Sequence, residues 1–293
     1  MTRIQTSVAA GRQDTGVLAL ESRRMTRHLR NTLLGFFALI VMFCLAPSDR
    51  VGASIPAPAT GNLKARQIVE RAIAAHGGLQ AWLSKKDASF STTWTHYAGG
   101  QPSFSSRYVV KFPTAPGPAP AVVEGDENGK PVLMGMSGSR SWFVVGGERF
   151  DDLESLKANR AFVRKAYGLL ALPFRLDDSS TDFTYDGDEV RGGAVVDRIR
   201  VSNGLDPAGL YLFDRETGRL AGMGSEVANP PTAIVSDYAE FTSVDGILVP
   251  RRQVFDRVDL RTGGRSRILT VNVDLVRFDN GFPRATFEPP AIP

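Results

Sequence analysis

The sequence predicts an α+β fold in which a curved antiparallel sheet of about ten strands, an open half-barrel, is closed by an N-terminal helix and an inserted lid helix. Three observations lead there. An apolar stripe at helical spacing follows residue 61, and from Ala88 the period of apolar residues drops to two with one helical interruption between Leu153 and Leu172. Glycine pairs and Asp-Gly or Asn-Gly steps punctuate the alternating stretches at hairpin spacing. Helix, strands, one helix and a long meander is the order of a sheet whose helices gather on one face. Twist keeps so many strands from lying flat, and a sheet curled too widely for its own side chains to fill leaves room for helices or a ligand.

Taken in chain order, residues 62–76 place Leu63, Ile68, Val69, Ala72 and Ile73 on one stripe, and Gly77-Gly78 ends it where a C-cap belongs. Leu79 to Leu83 is a short helical turn that lays Trp82 on the core. Phe90, Thr92, Trp94 and His96 then alternate with Ser89, Ser91, Thr93 and Thr95, giving a strand with two unlike faces. Arg107 to Phe112 is a second strand, ended by a proline-rich turn from Pro113 to Pro120 that cannot supply ladder donors. Asn128-Gly129 and Gly146-Gly147 mark hairpins, with strands at Pro131–Met136 and Arg140–Val145 between them. Leu153, Leu156, Phe162, Ala166, Tyr167 and Leu170 form the stripe of the inserted helix, behind the capping candidates Asp151 and Asp152. Seven further strands run from Asp182 to Phe278, with turns at Asp186-Gly187, Thr217-Gly218, Asp245-Gly246 and Gly263-Gly264.

The first 53 residues read as an N-terminal extension and signal peptide. From Met25 the chain has a basic start (Arg27, His28, Arg30), an apolar stretch from Leu33 to Ala46 and a small-residue site at Val51-Gly52-Ala53, so cleavage is expected after Ala53 and export to the periplasm follows. Fourteen apolar residues from Leu33 to Ala46 fall short of the roughly 20 that span a bilayer, which makes an uncleaved inner-membrane anchor the weaker alternative. Residues 54–61 form a flexible spacer, and 62–293 a single domain.

Composition excludes several functions. Seven of the 35 Lys/Arg and three of the 31 Asp/Glu precede Ser54, so the remainder balances at 28 of each. A nucleic-acid partner is not expected, because no basic, aromatic-laced stretch follows the leader. Cys44 is the one cysteine and lies in the leader, leaving the mature part without disulfide, thiolate metal site or cysteine nucleophile. His76 and His96 stand far apart with no clustered carboxylates, so no metal and no other cofactor is expected. His76 fits a capping role beside the glycine stop, and His96 fits a solvent-facing or aromatic-capping one. Neither a nucleophile elbow nor a phosphate-binding loop occurs, so the chain reads as a binding protein and not an enzyme.

Several segments together resemble the LolA-like periplasmic lipoprotein carriers, a fold shared with LolB and RseB. They are Lys111-Phe112-Pro113, Gly138 to Phe143, the Leu153–Leu172 helix, Tyr211 to Leu220, Asp237-Tyr238 with Val244 to Ile247 and Pro250, and Thr286 to Pro290. The resemblance implies an exported protein that holds an acyl chain, lipid or lipoprotein in an apolar cavity. Its implied alternative is an RseB-like sensor that binds an envelope membrane protein. Ligand contacts are expected from Trp94, Tyr108, Trp142, Phe162, Tyr167 and Leu170, aromatic and aliphatic walls on early strands and lid helix. The departure is Phe112, where the carriers have an arginine that ties sheet to lid, so that gating interaction does not transfer.

Overall fold

Thirteen antiparallel strands, three helices and two 3-10 turns make up the described chain, a computed structural model covering residues 59–114, 119–127, 129–177, 181–202, 209–227 and 231–291. The leader, its cleavage site, residues 54–58, half of the proline-rich turn (115–118) and Asn128 lie outside the described residues.

Helix α1 (Ala59–Ala75) buries Ala65, Ile68, Val69, Ala72 and Ile73, an i, i+3, i+4, i+7, i+8 stripe, while Leu63 lies 60% exposed and leaves the stripe assigned to it. Its C-terminus closes through Gly77 N–H to Ala74 O at 3.1 Å and Gly78 N–H to Ile73 O at 2.9 Å. Both glycines have positive φ. A Cβ on Gly77 would lie 2.2 Å from the carbonyl oxygen of Gly246, whereas one on Gly78 would meet nothing within 4 Å. Helix α2 (Leu79–Leu83) turns Trp82 onto Phe174, stacked at 4.5 Å between ring centroids.

Strands β1 (Asp87–Ala98), β2 (Gln101–Pro113), β3 (Ala121–Glu127), β4 (Lys130–Ser137), β5 (Arg140–Val145) and β6 (Glu148–Arg149) form one meander. Helix α3 (Leu153–Ala171) and a 3-10 turn (Phe174–Asp177) follow. A second meander comprises β7 (Phe183–Arg191), β8 (Ala194–Val201), β9 (Gly209–Asp214), β10 (Leu220–Val227), β11 (Thr232–Val244), β12 (Ile247–Asp259) and β13 (Arg265–Phe278). All belong to one open sheet of order β6-β5-β4-β3-β2-β1-β13-β12-β11-β10-β9-β8-β7.

The count of thirteen corrects the expected ten, and the reason is local. Strand β3 carries Glu124, Gly125, Asp126 and Glu127, residue types depleted in strands. It pairs nonetheless because the Tyr108 ring of β2 lies across Gly125 and its hydroxyl donates to Glu127 at 2.9 Å. Asp186-Gly187 is also corrected, from a turn to a bulge within β7. The register with β8 slips between Tyr185 and Asp188, Arg198 and Arg200 hold the Asp186 carboxylate, and the reversal falls at Gly192-Gly193.

The sheet is strongly curled. Arg191 of β7 reaches Asp237 of β11 at 2.7 Å although β8, β9 and β10 lie between them in sheet order, a separation of about 19 Å in a flat sheet. Helix α1 is pinned to the second meander by Asp197 of β8. That carboxylate is 4% exposed and takes Arg71 of α1 at 3.1 Å and Arg215 from the β9–β10 turn at 2.6 Å.

Gly77→Ala is expected to cost about 2–4 kcal/mol, combining a left-handed backbone with a backbone clash, and Gly78→Ala only about 1 kcal/mol. Urea denaturation of the two variants side by side checks this, with the larger midpoint loss at position 77.

Candidate functional site

Helix α3 starts where the Asp152 carboxylate accepts the Ser155 N–H at 3.0 Å, and it faces β2, β3, β4, β5 and β12. Asp152 is thus the cap, while Asp151 pairs with Arg149 instead. The buried face of α3 carries Phe162, Val163, Ala166, Tyr167 and Leu170. Five of the six predicted site residues belong to the one large apolar core on this inner face: Trp94, Tyr108, Phe162, Tyr167 and Leu170. Phe162 wedges between Trp94 (5.0 Å) and Tyr108 (5.3 Å), which themselves meet edge to face at 5.8 Å. Tyr167 meets Phe112 at 4.9 Å, and Leu170 is buried beside it in the sequence stripe. Ring pairs of this kind contribute about 0.5–1.5 kcal/mol each beyond area burial.

Trp142 is the exception. Alternation along β5 sends Phe143 to the inner face and Trp142 to the outer one, where its indole lies on Gly135 so closely that a Cβ there would sit 2.1 Å away. Its neighbours are Val122 and Phe287, and its indole N–H has no hydrogen-bond partner. Trp142 therefore lies on the face opposite the other five. It supports the C-terminal segment, in which Phe282 and Phe287 cap it from residues held by Asp87. The Asp87 carboxylate accepts from the backbone N–H groups of Asn280, Gly281 and Phe282 at 2.7, 3.0 and 3.1 Å and from the Asn280 side chain at 2.9 Å. Burial pushes its pKa up, but these bonds outweigh burial and hold it below the usual carboxylate range.

Polar groups on the inner face were not legible as a site. Asn159 of α3, fully buried, donates to Gly135 O at 3.2 Å and to Ser141 Oγ at 2.6 Å, so one amide ties the helix to β4 and β5. Lys165 lies with Nζ 4.2 Å from the Phe255 ring centroid and 5.8 Å from that of Trp94. The sequence signal for it is a cation three residues after Phe162, at the edge of an apolar stripe. His96 stacks on Phe104 at 4.1 Å and is buried, the aromatic-capping alternative. Burial, reinforced by the Lys165 cation, lowers its pKa to about 4. His76 keeps its capping role, with Nδ1 donating to Ala72 O at 2.8 Å, but burial lowers its pKa and the cap is a neutral one.

An open groove of about 660 Å³ runs along the outer face between Ser91, Thr93, Arg107, Glu124, Asp126 and Asp274. Tyr108, Val109 and Gly125 also line it, so it mixes charged and apolar surface. Among the described residues no group of three or more His, Cys, Asp or Glu side chains could hold a metal ion, and no helix is long and apolar enough to cross a membrane.

No protein-family model and no curated protein matches the sequence. Solved structures do match its shape. A LolA superfamily protein from Nitrosomonas europaea superposes with a TM-score of 0.50 at 13% identity, covering 77% of this chain and 97% of that one. The fold is LolA-like. A lipoprotein-sorting protein domain from Vibrio parahaemolyticus, described as putative in its own structure, gives 0.49 at 13% identity over 77% and 97%. A DUF1329 family protein from Desulfovibrio piger gives 0.46 at 11% identity over 76% and 97%. Within this LolA-like fold the departure at Phe112 has a clear physical form. Phe112 is fully buried between Tyr167, Phe90 and Trp82, so an aromatic contact stands at that position and the polar tie to α3 comes from Asn159.

The two histidines make stability depend on pH with a definite sign. The unfolded chain takes up a proton near pH 6.5 that folded His96 refuses until about 4, so stability is full above pH 7 and falls across that window. A loss of about 2 kcal/mol is expected for His96 between pH 7 and 4.5. Denaturation midpoints measured against pH should fall less steeply in His96→Gln than in the parent.

Proposed function

We propose that this chain is an exported periplasmic binding protein that holds an acyl chain, lipid or lipoprotein against the inner face of its sheet. Residues 62–293 are its single LolA-like domain, preceded by a signal peptide cleaved after Ala53. The observation that carries this is the inner face itself. Curvature, the aromatic wall of Trp94, Tyr108 and Phe162, and a single covering helix give an apolar surface on which α3 packs. An acyl chain entering between α3 and β1–β2 would exchange these ring contacts for contacts of its own, gaining about 0.8 kcal/mol for each CH₂ removed from water. Such binding calls for no catalytic group and no cofactor. Tyr167 and Leu170 would line the deeper end, while Trp142 on the outer face would leave the ligand untouched.

The full-length chain, produced in a bacterial host and purified without detergent, should give a native mass that exceeds its denatured mass by that of an acyl lipid. It should also bind a fluorescent acyl probe, and Phe162→Asp should abolish that binding while Trp142→Phe should leave it within about twofold. A clean empty mass together with indifference to the probe would sink the proposal and favour a module that binds an envelope membrane protein.

A further inference from the structure

The strand register brings together side chains far apart in sequence at the centre of the inner face. One row crosses four strands as Trp94, Val271, Gln253 and Tyr238, and the next as His96, Leu269, Phe255 and Ser236. All eight are buried. Apolar residues are expected throughout such a floor, yet it contains a hydroxyl pair, an imidazole and an amide. Gln253 donates from Nε2 to Ser236 Oγ at 3.1 Å, and its Oε1, on a residue 3% exposed, has no hydrogen-bond partner. A buried acceptor left unpaired is destabilising, and a ligand hydroxyl donating to it would recover that loss. Over the same floor, half-buried Lys165 of α3 places its ammonium against the faces of Phe255 and Trp94.

A cation held on aromatic faces, on the same floor as a buried acceptor two residues before Phe255 along β12, is complementary to a group that is anionic and also carries hydroxyls. Coulomb attraction is stronger there than at an open surface because the ammonium is half-buried against two aromatic rings. His96, stacked on Phe104 and neutral at pH 7, adds no second positive charge to the site. We infer that Lys165 and Gln253 form a polar subsite that selects acyl ligands with an anionic, hydroxyl-bearing head over neutral ones. This rests on the acyl-binding proposal above and names the class of ligand for the same face. Lys165 would contact the charge, and Gln253 a head-group hydroxyl.

The test compares two ligands with the same chain and the same kind of hydroxyls, 1-myristoyl-lysophosphatidylglycerol and 1-myristoylglycerol. Each displaces a fluorescent acyl probe from the full-length protein below its critical micelle concentration. The anionic ligand is expected to bind at least about tenfold more tightly. Lys165→Gln should remove that preference while leaving affinity for 1-myristoylglycerol within about twofold, and Lys165→Arg should retain it. Raising the salt concentration should shrink the preference in the parent but not in Lys165→Gln. Unchanged melting of both variants shows that the fold is intact. Equal binding of the two ligands by the parent, or a preference that survives Lys165→Gln, overturns the subsite and leaves acyl binding standing. Binding of neither ligand overturns the acyl-binding proposal, and the subsite with it.

Discussion

Strand β1 pairs with β13 through nine register positions, from Ala88 with Phe278 to His96 with Leu269, and the architecture depends on that contact. Every other pair of neighbours in the sheet is consecutive in the chain. Without it there would be two separate meanders with four edges, each presenting unpaired backbone groups. With it the first meander's last strand and the second meander's first strand become opposite edges of one sheet. The connection between them, which contains α3, must then cross the inner face. The position of the lid helix is a consequence of topology before it is a consequence of packing, and curling of the sheet shortens the crossing that α3, about 28 Å long, has to make.

Packing then decides what the crossing helix does. Phe162 settles among Trp94 and Tyr108, and Tyr167 against Phe112, so the contact is chiefly apolar and non-directional. Direction comes from Asn159, whose two N–H groups meet Gly135 O and Ser141 Oγ. An apolar face tolerates sliding or separation in small increments, whereas a buried amide is either bonded or costly. The helix therefore has one well-defined seat at its N-terminal half and a softer one towards Lys165 and Tyr167.

Much of this was legible in the sequence because local rules carried it. Stripe and glycine stop placed α1, Asp152 capped α3, and the glycine pairs marked most reversals. What escaped was what a neighbouring strand supplies. Strand β3 looks like a loop until Tyr108 is laid across Gly125, and Asp186-Gly187 looks like a turn until Arg198 and Arg200 neutralise the bulge. Trp142 could be placed on a strand by alternation, but which face was inner depended on Phe143 and Ser141 meeting α3. The rows that unite Trp94 with Gln253 and His96 with Ser236 follow from the β1–β13 register, and no local pattern encodes it.

The same register has a kinetic side. A chain that emerges from its N-terminus makes β1 early and β13 nearly last, with 166 residues between Ala98 and Arg265. Until then β1 has one hydrogen-bonding edge without a partner, and closing so long a loop is slow compared with forming hairpins. The edge is suited to the wait. Its outward residues are Ser89, Ser91, Thr93 and Thr95, which keep that side of the strand hydrated. Asp87 holds the backbone of residues 280–282, so the last dozen described residues fasten a sheet begun some 190 residues earlier.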